Sequence, residues 1–210
     1  MSAGGRRDQI LKGAMRIFAQ KGFRGTTTRE IARRLGISEA LMFKYFPSKE
    51  ALYRAIIQKR TDGSEEMFFP KEATQAKNDR QVFRSIASYL IQKNTEDPTF
   101  MRLILYSALE RHDLSKIFFE NHAVERTKLL SEYIRQRIKE KAFKKVPPML
   151  AARAFMGMVI HFVQSQEIYG MKNSFRFSQK KVVDTFVDAF LNGLKGSPSG
   201  NESGEGKSSE

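Results

Sequence analysis

Within residues 26–50, TTTREIARRLGISEALMFKYFPSKE, helix caps and breakers fall so close together that only short helices fit between them. Thr27 stands just before the first apolar-periodic residue and Glu30 follows three positions later. At that spacing hydroxyl and carboxylate satisfy each other's backbone N–H groups as a capping box. Ile31, Ala32 and Leu35 then repeat at helical spacing, and Gly36 follows, the residue that most easily takes the left-handed conformation ending a helix. Ser38 caps a second helix. In it Met42 and Phe46, four apart, face inward, while Glu39, Ala40, Leu41, Phe43, Lys44 and Tyr45 face outward or flank. Pro47 ends that helix and Ser48 caps a third. Two short helices about a Gly-containing turn form either a helical hairpin inside an all-α domain or a helix-turn-helix, whose second helix enters the DNA major groove. Spacing alone leaves both open.

Charge bears on that choice. The 210 residues carry a net +14, and residues 1–60 hold 14 Lys or Arg against 4 Asp or Glu, whereas residues 61–210 hold 23 against 19. The positive field sits on the segment with the two short helices, as expected where phosphates are neutralised. Other chemistries find no residues to carry them. Without cysteine there are no disulfides, thiolate metal sites or cysteine nucleophiles, which suits a reducing cytoplasm. His112, His122 and His161 are too far apart in sequence, and too far from paired carboxylates, to argue a metal site or a catalytic base. No Gly-rich phosphate loop and no Gly-x-Ser-x-Gly elbow is present, so neither an enzyme nor a cofactor is expected. The basic start MSAGGRR runs into an amphipathic helix, and no window approaches the roughly 18–20 apolar residues of a membrane span. The expectation is a cytoplasmic protein without membrane association.

Every apolar run along the chain has helical period, so the fold class is all-α. Residues 1–7 read as a loose arm; from Asp8, the residues Ile10, Leu11, Ala14, Ile17 and Phe18 make an amphipathic stripe that Gly22 closes. After Ser48, Leu52, Tyr53, Ile56 and Ile57 continue as a helix to about Gly63, with Pro70 as the limit. Residues 71–79 read as a polar loop or a frayed helix start. Helices follow on Val82, Phe83, Ile86 and Leu90, from Pro98 to Leu109, and on Leu130, Ile134 and Ile138 to near Phe143. Pro147-Pro148 opens the most apolar helix, ended by Gly170, and Val183, Phe186, Val187, Phe190, Leu191 and Leu194 form the last apolar face. The Gly/Ser-rich residues 196–210 read as a disordered tail.

Residues 8–57 closely resemble the N-terminal domain of the TetR family of bacterial transcriptional regulators. The resemblance rests on Phe18-Ala19 to Gly22-Phe23, Thr26-Thr27, Ile31-Ala32, Leu35-Gly36-Ile37-Ser38, Tyr45-Phe46 and Ser48-Lys49-Glu50. It implies a three-helix helix-turn-helix DNA-binding domain over 1–47 and a larger helical effector-binding and dimerisation domain over 48–195. Thr26 or Thr27, Tyr45 and Lys49 match phosphate-holding positions, beside the cap Ser38; Glu39, Ala40, Leu41, Phe43 and Lys44 match the base-reading face. Relatives often carry Lys-Gly-Thr and Tyr-His where this chain has Glu39-Ala40-Leu41 and Phe43-Lys44. Reading here therefore leans on thymine methyls, with Lys44 available to guanine or phosphate and Glu39 either to cytosine or simply to the helix dipole. By the same resemblance the partners are a double-stranded operator, a second copy of the chain and a small-molecule effector, in a repressor released by its ligand. The abundance of Phe and Met beyond residue 60 suits a lipophilic effector, and the pocket candidates are Tyr89, Met101, Tyr106, Phe119, His122, Phe155, Met158, His161 and Phe162. The last two helices would form the dimer through Phe155, Val159, Val163, Val183, Phe186, Val187 and Phe190, or else these residues belong to the monomer's own core. Two rivals stand beside this reading: the same fold without a small-molecule effector, and a basic helical protein that binds polyanions or a membrane surface without sequence preference.

Overall fold

The N-terminal run folds as α1 (Ala3–Lys21), α2 (Thr28–Leu35), α3 (Glu39–Tyr45) and α4 (Lys49–Thr61) in a computed structural model that describes residues 3–61, 68–111 and 113–195. The expected end of α4 near Gly63, His112 and the tail 196–210 lie outside the described residues. Residues 3–7, expected as a loose arm, are instead the first turns of α1. Arg6 Nη1 donates to Gln9 Oε1 at 3.0 Å, and the Arg7 guanidinium lies 5.1 Å from the centre of the Phe46 ring, so the basic start is tied down by its own helix and by α3's exit.

The two short helices are built by local chemistry. Thr27 Oγ1 accepts from Glu30 N at 3.1 Å, Gly36 takes φ +64°, and Ile37 N closes onto Ala32 O at 3.0 Å, so α2 is capped at both ends. Only half of the expected capping box forms, because the Glu30 carboxylate turns to Lys21 Nζ (2.6 Å) and Arg34 Nε (3.3 Å) instead of the Thr27 N–H. That cation, first Lys21 and then Arg34, holds the Glu30 carboxyl below its usual range. Ser38 Oγ accepts from Leu41 N at 3.1 Å and opens α3. The stripe of α1 meets Ile31, Met42, Phe46, Leu52, Tyr53, Ile56 and Ile57 in one core. At Gly13 a Cβ would lie 2.1 Å from Leu35 Cδ2, so α1 and α2 approach closely enough that a side chain there would have to displace Leu35.

The rest of the described chain is helical and contains no strand: α5 (Lys71–Gln75), α6 (Asp79–Glu96), α7 (Thr99–Leu109), α8 (Asp113–Phe118), a π-helical turn (Phe119–Ala123), α9 (Val124–Lys139), α10 (Pro148–Glu167), a 3₁₀ turn (Met171–Asn173) and α11 (Gln179–Leu194). Residues 71–79 thus hold a short helix where a loop or a frayed helix start was expected, and α9 stops at Lys139, short of Phe143, because Lys141 takes φ +60° and turns the chain. Phe143 is still buried, with its ring 6.4 Å from Phe83. A second core joins α6, α9, α10 and α11 around Phe83, Ile86, Leu130 and Ile134. Asp79, opening α6, accepts from Arg137 Nε and Nη2 (2.8 and 3.0 Å) and from the Tyr133 hydroxyl (2.6 Å), locking α6 to α9. Arg80 and Arg84 pair with Asp188 and Asp184 and lock α6 to α11.

Two placements correct the sequence reading. Phe155, Val159, Val163, Val183 and Val187, expected at a dimer interface, are buried inside this second core. Helical period marks an apolar face without saying what covers it, and here α6 and α9 of the same chain do. The N-terminal core is also not self-contained: Phe100, Leu103 and Ile104 of α7 belong to it, and Tyr53 of α4 donates its hydroxyl to Leu103 O at 3.3 Å. Burial pushes the Tyr53 phenol up to about 12.

Candidate nucleic-acid interface

On α3, Ala40 and Lys44 are exposed, Phe43 is 42% exposed, and Leu41 and Tyr45 are half-buried, so the outward face is largely apolar with Lys44 as its cation. Glu39 is differently employed. Its Oε1 accepts from the Thr28 hydroxyl at 2.5 Å, tying the start of α3 to the start of α2. Ser38 spends its hydroxyl oxygen on Leu41 N and Thr27 its oxygen on Glu30 N, each keeping an O–H to donate. Tyr45 packs partly against the head's core. Exposed Arg24, Arg29 and Arg33 stand on the same unit; sequence reasoning passed over them, although unpatterned cations on the polar side of α2 were the available signal.

Thr26 and Lys49 depart from the expectation that they face phosphate. Thr26 is fully buried and donates its hydroxyl to Gly22 O at 2.7 Å. Lys49 turns inward, donating to Phe23 O (2.9 Å) and Thr26 O (2.8 Å) with its ammonium 4.2 Å from the centre of the Phe23 ring. The turn between α1 and α2 brings the Phe23 and Thr26 carbonyls within reach of the first residue of α4, whose ammonium donates to both. The amide side of that turn is held from farther away. Glu110, just past α7, accepts from Phe23 N at 3.0 Å and from Arg24 N at 3.3 Å. Gly22, at φ +74°, makes this possible, because a Cβ there would lie 2.2 Å from Glu110 Oε1. One carboxylate and one ammonium, from α7 and α4, therefore fix the segment that aims α2 and α3.

The other ends of α4 and α7 meet a cavity of about 140 Å³. Tyr89, Met101 and Phe119 of the expected pocket residues line it; Arg60, Lys93, Phe100, Ile104, Ile160 and Gln164 also do and were missed. The other expected residues lie elsewhere. Phe155 is core, Met158 packs half-buried against that core, Tyr106 is 41% exposed, and His161 is exposed beside the Ser165 hydroxyl at 3.3 Å. Phe162 lines a separate groove and meets the Phe186 ring at 5.6 Å, while His122 lies in the π-helical turn with its ring 6.2 Å from Phe118. The pocket face of α10 is set by Ile160 and Gln164, a rotation no single-helix pattern reveals. No group of three or more His, Cys, Asp or Glu placed to hold a metal occurs among the described residues.

Known proteins align with both parts. Residues 10–56 match the model of bacterial regulatory proteins of the tetR family, and residues 78–193 match that of the AefR-like transcriptional repressor C-terminal domain. Over 53 residues the chain is 40% identical to the uncharacterized HTH-type transcriptional regulator YvkB of Bacillus subtilis, covering 25% of this chain and 28% of that protein. Over the same length it is 45% identical to the HTH-type transcriptional regulator RutR of Escherichia coli K12, covering 25% of each. These matches span about a quarter of the relatives' length. The whole fold matches that of AibR, solved in complex with isovaleryl coenzyme A and operator DNA, with a TM-score of 0.69 at 22% identity over 88% of this chain and 97% of that one. A helix-turn-helix head and a matching C-terminal domain in one chain leave one assignment: the protein belongs to the TetR family of bacterial transcriptional regulators.

Proposed function

We propose that the protein is a repressor that grips an inverted-repeat operator as a dimer and lets go when a small molecule enters the cavity. One observation carries this reading: α4 and α7 each line the cavity at one end and hold the α1–α2 turn at the other, through Lys49 and Glu110. A ligand that shifts either helix re-aims the reading helices without touching them. In support, the neighbouring fold of AibR is found with both an acyl-CoA and operator DNA. Ala40, Leu41 and Phe43 supply contacts suited to thymine methyls and Lys44 a donor to guanine or phosphate, with Thr27, Ser38, Tyr45 and the exposed arginines positioning the head on the backbone.

A single helix-turn-helix covers few bases, whereas a two-fold pair reads half-sites about 34–36 Å apart or a multiple of that. The dimer face left open by this fold is the outer side of α10 and α11, where Leu150, Ala154, Thr185, Ala189 and Gly193 are exposed beside half-buried Phe186 and Phe190. The test is selection of bound duplexes from a random pool by the purified protein at near-physiological salt. An enriched inverted repeat is the expected result. Binding that only fades with salt, with no sequence enriched, would remove the specific-regulator reading and leave a non-specific clamp.

A further inference from the structure

We infer that the cavity takes an amphipathic anion: an apolar chain or ring inside, and a carboxylate or phosphate held between Arg60 of α4 and Lys93 of α6. This rests on the reading of the cavity as the effector site and names the ligand's chemistry. The inner wall is apolar and aromatic, with Phe100, Met101, Ile104 and Phe118, while three cations, Arg60, Lys93 and Arg126, line it and no Asp or Glu does. A cationic ligand adds like charge beside Arg60 and Lys93, and a neutral one leaves their spare donors unmatched; an anion supplies both acceptors and opposite charge.

Arg60 and Lys93 also line a surface groove of about 390 Å³ on their other side, so they stand where the cavity meets the seam between head and body. That groove adds Lys12 and Arg16 of α1 and Lys59 of α4, against Asp97 as its one carboxylate. Existing partners leave donors unspent. Arg60 lies 3.9 Å from Asp97 and 5.4 Å from the centre of the Phe100 ring, yet its Nε is buried without a hydrogen bond. The Lys93 ammonium sits 6.0 Å from the centre of the Tyr89 ring. Asp97 is itself held by Thr99 N at 3.0 Å, which keeps it on α7's entry rather than across the cavity mouth. The enclosed part fits a small body, since a cavity of roughly 150 Å³ holds a benzene-sized group, so about six to eight carbons precede the headgroup.

The position has a consequence for coupling. An anion gripping Arg60 pulls on the end of α4 opposite Lys49, and its outer face lies against α1 of the head.

The experiment is calorimetric titration of the full-length protein, without DNA, with four probes sharing one chain: octanoate, octyl phosphate, 1-octanol and octylamine, and with acetate as a headgroup control. Octanoate or octyl phosphate should bind roughly tenfold or more tighter than octanol, as hydrogen bonds to a charged group imply, and acetate and octylamine should not register. Whichever of the two anions binds better identifies the headgroup. In Arg60→Gln and Lys93→Gln the ratio of anion to alcohol affinity should fall toward one, and Arg60→Lys, which keeps the charge, should retain most of it. Equal affinity for octanol and octanoate, a preference for octylamine, or a preference unchanged in the double Gln variant overturns the inference. Anion binding with no effect on DNA affinity would instead refute the effector role and leave the inference standing.

Discussion

At the scale of single residues, Glu110 ties the body to the head, joining Phe23 and Arg24 across more than eighty positions. Its two amide hydrogen bonds are partly open to solvent, so the net worth is about 1 kcal/mol, below the usual range for charged acceptors. Glu110→Ala should therefore lower the melting temperature by only about 2–4 °C for a chain of this size. The sharper readout is local. Amide exchange of Phe23 and Arg24 should speed up markedly in Glu110→Ala while amides of the second core stay protected; unchanged exchange at Phe23 would show that the carboxylate does not hold the turn. Lys49, on the carbonyl side, should behave likewise: Lys49→Ala should loosen the turn and weaken binding to every DNA sequence through misaimed heads, leaving the slope of affinity against salt unaltered. A slope shallower by about one would show that Lys49 turns outward to phosphate instead. These residues also show where the sequence stops being legible. Thr27, Gly36 and Ser38 act over three or four positions, and their caps can be read directly. The partners of Glu110 and Lys49 are brought together by the packing of α7 and α4 on α1, which no local pattern encodes.

At the scale of elements, each helix of the described chain that carries a strong apolar stripe was legible, and the head's helix-turn-helix was legible down to its caps. What each stripe faces was not. The inward stripe of α10 and α11 is the same apolar pattern whether a partner subunit or α6 covers it, and here Phe83 of α6 meets Phe155 at 4.8 Å and Phe190 at 5.1 Å. The outer stripe is weaker in sequence because it is made of small residues, Ala154 and Gly157 on α10 and Thr185, Ala189 and Gly193 on α11. A Cβ at Gly157 or Gly193 would meet nothing within 4 Å. Small residues let helices from two subunits approach to the short end of the usual 8–10 Å interaxial distance. Ala189→Arg should therefore convert a dimer into a folded monomer with unchanged helicity, read by light scattering and circular dichroism, and should cost most of the operator affinity. A variant that stays dimeric would place the interface on another face.

At the scale of the whole molecule, charge and mechanics divide between the two cores. Most of the surplus of positive charge lies in the first 60 residues, and part of it, Lys12, Arg16, Lys59 and Arg60, stands at the seam between head and body beside Lys93. From Lys49 to Arg60, α4 runs eleven helical steps, about 16 Å, so on the proposed mechanism a ligand that shifts its cavity end would move the α1–α2 turn at the other. In a dimer the two heads move oppositely about the two-fold axis, and a misfit in spacing weakens both half-sites at once. Thermodynamics then imposes a reciprocal demand. Whatever factor an anionic ligand takes from DNA affinity, typically about 5–150-fold in coupled systems, operator DNA must take from ligand affinity. Titrating octanoate into the free protein and into its operator complex measures one side, and titrating operator with and without octanoate measures the other. Equal factors well above one establish that cavity and reading head share a two-state element. Equal ligand affinity in free and DNA-bound protein would mean that α4 and α7 carry no signal, however well they join the two sites.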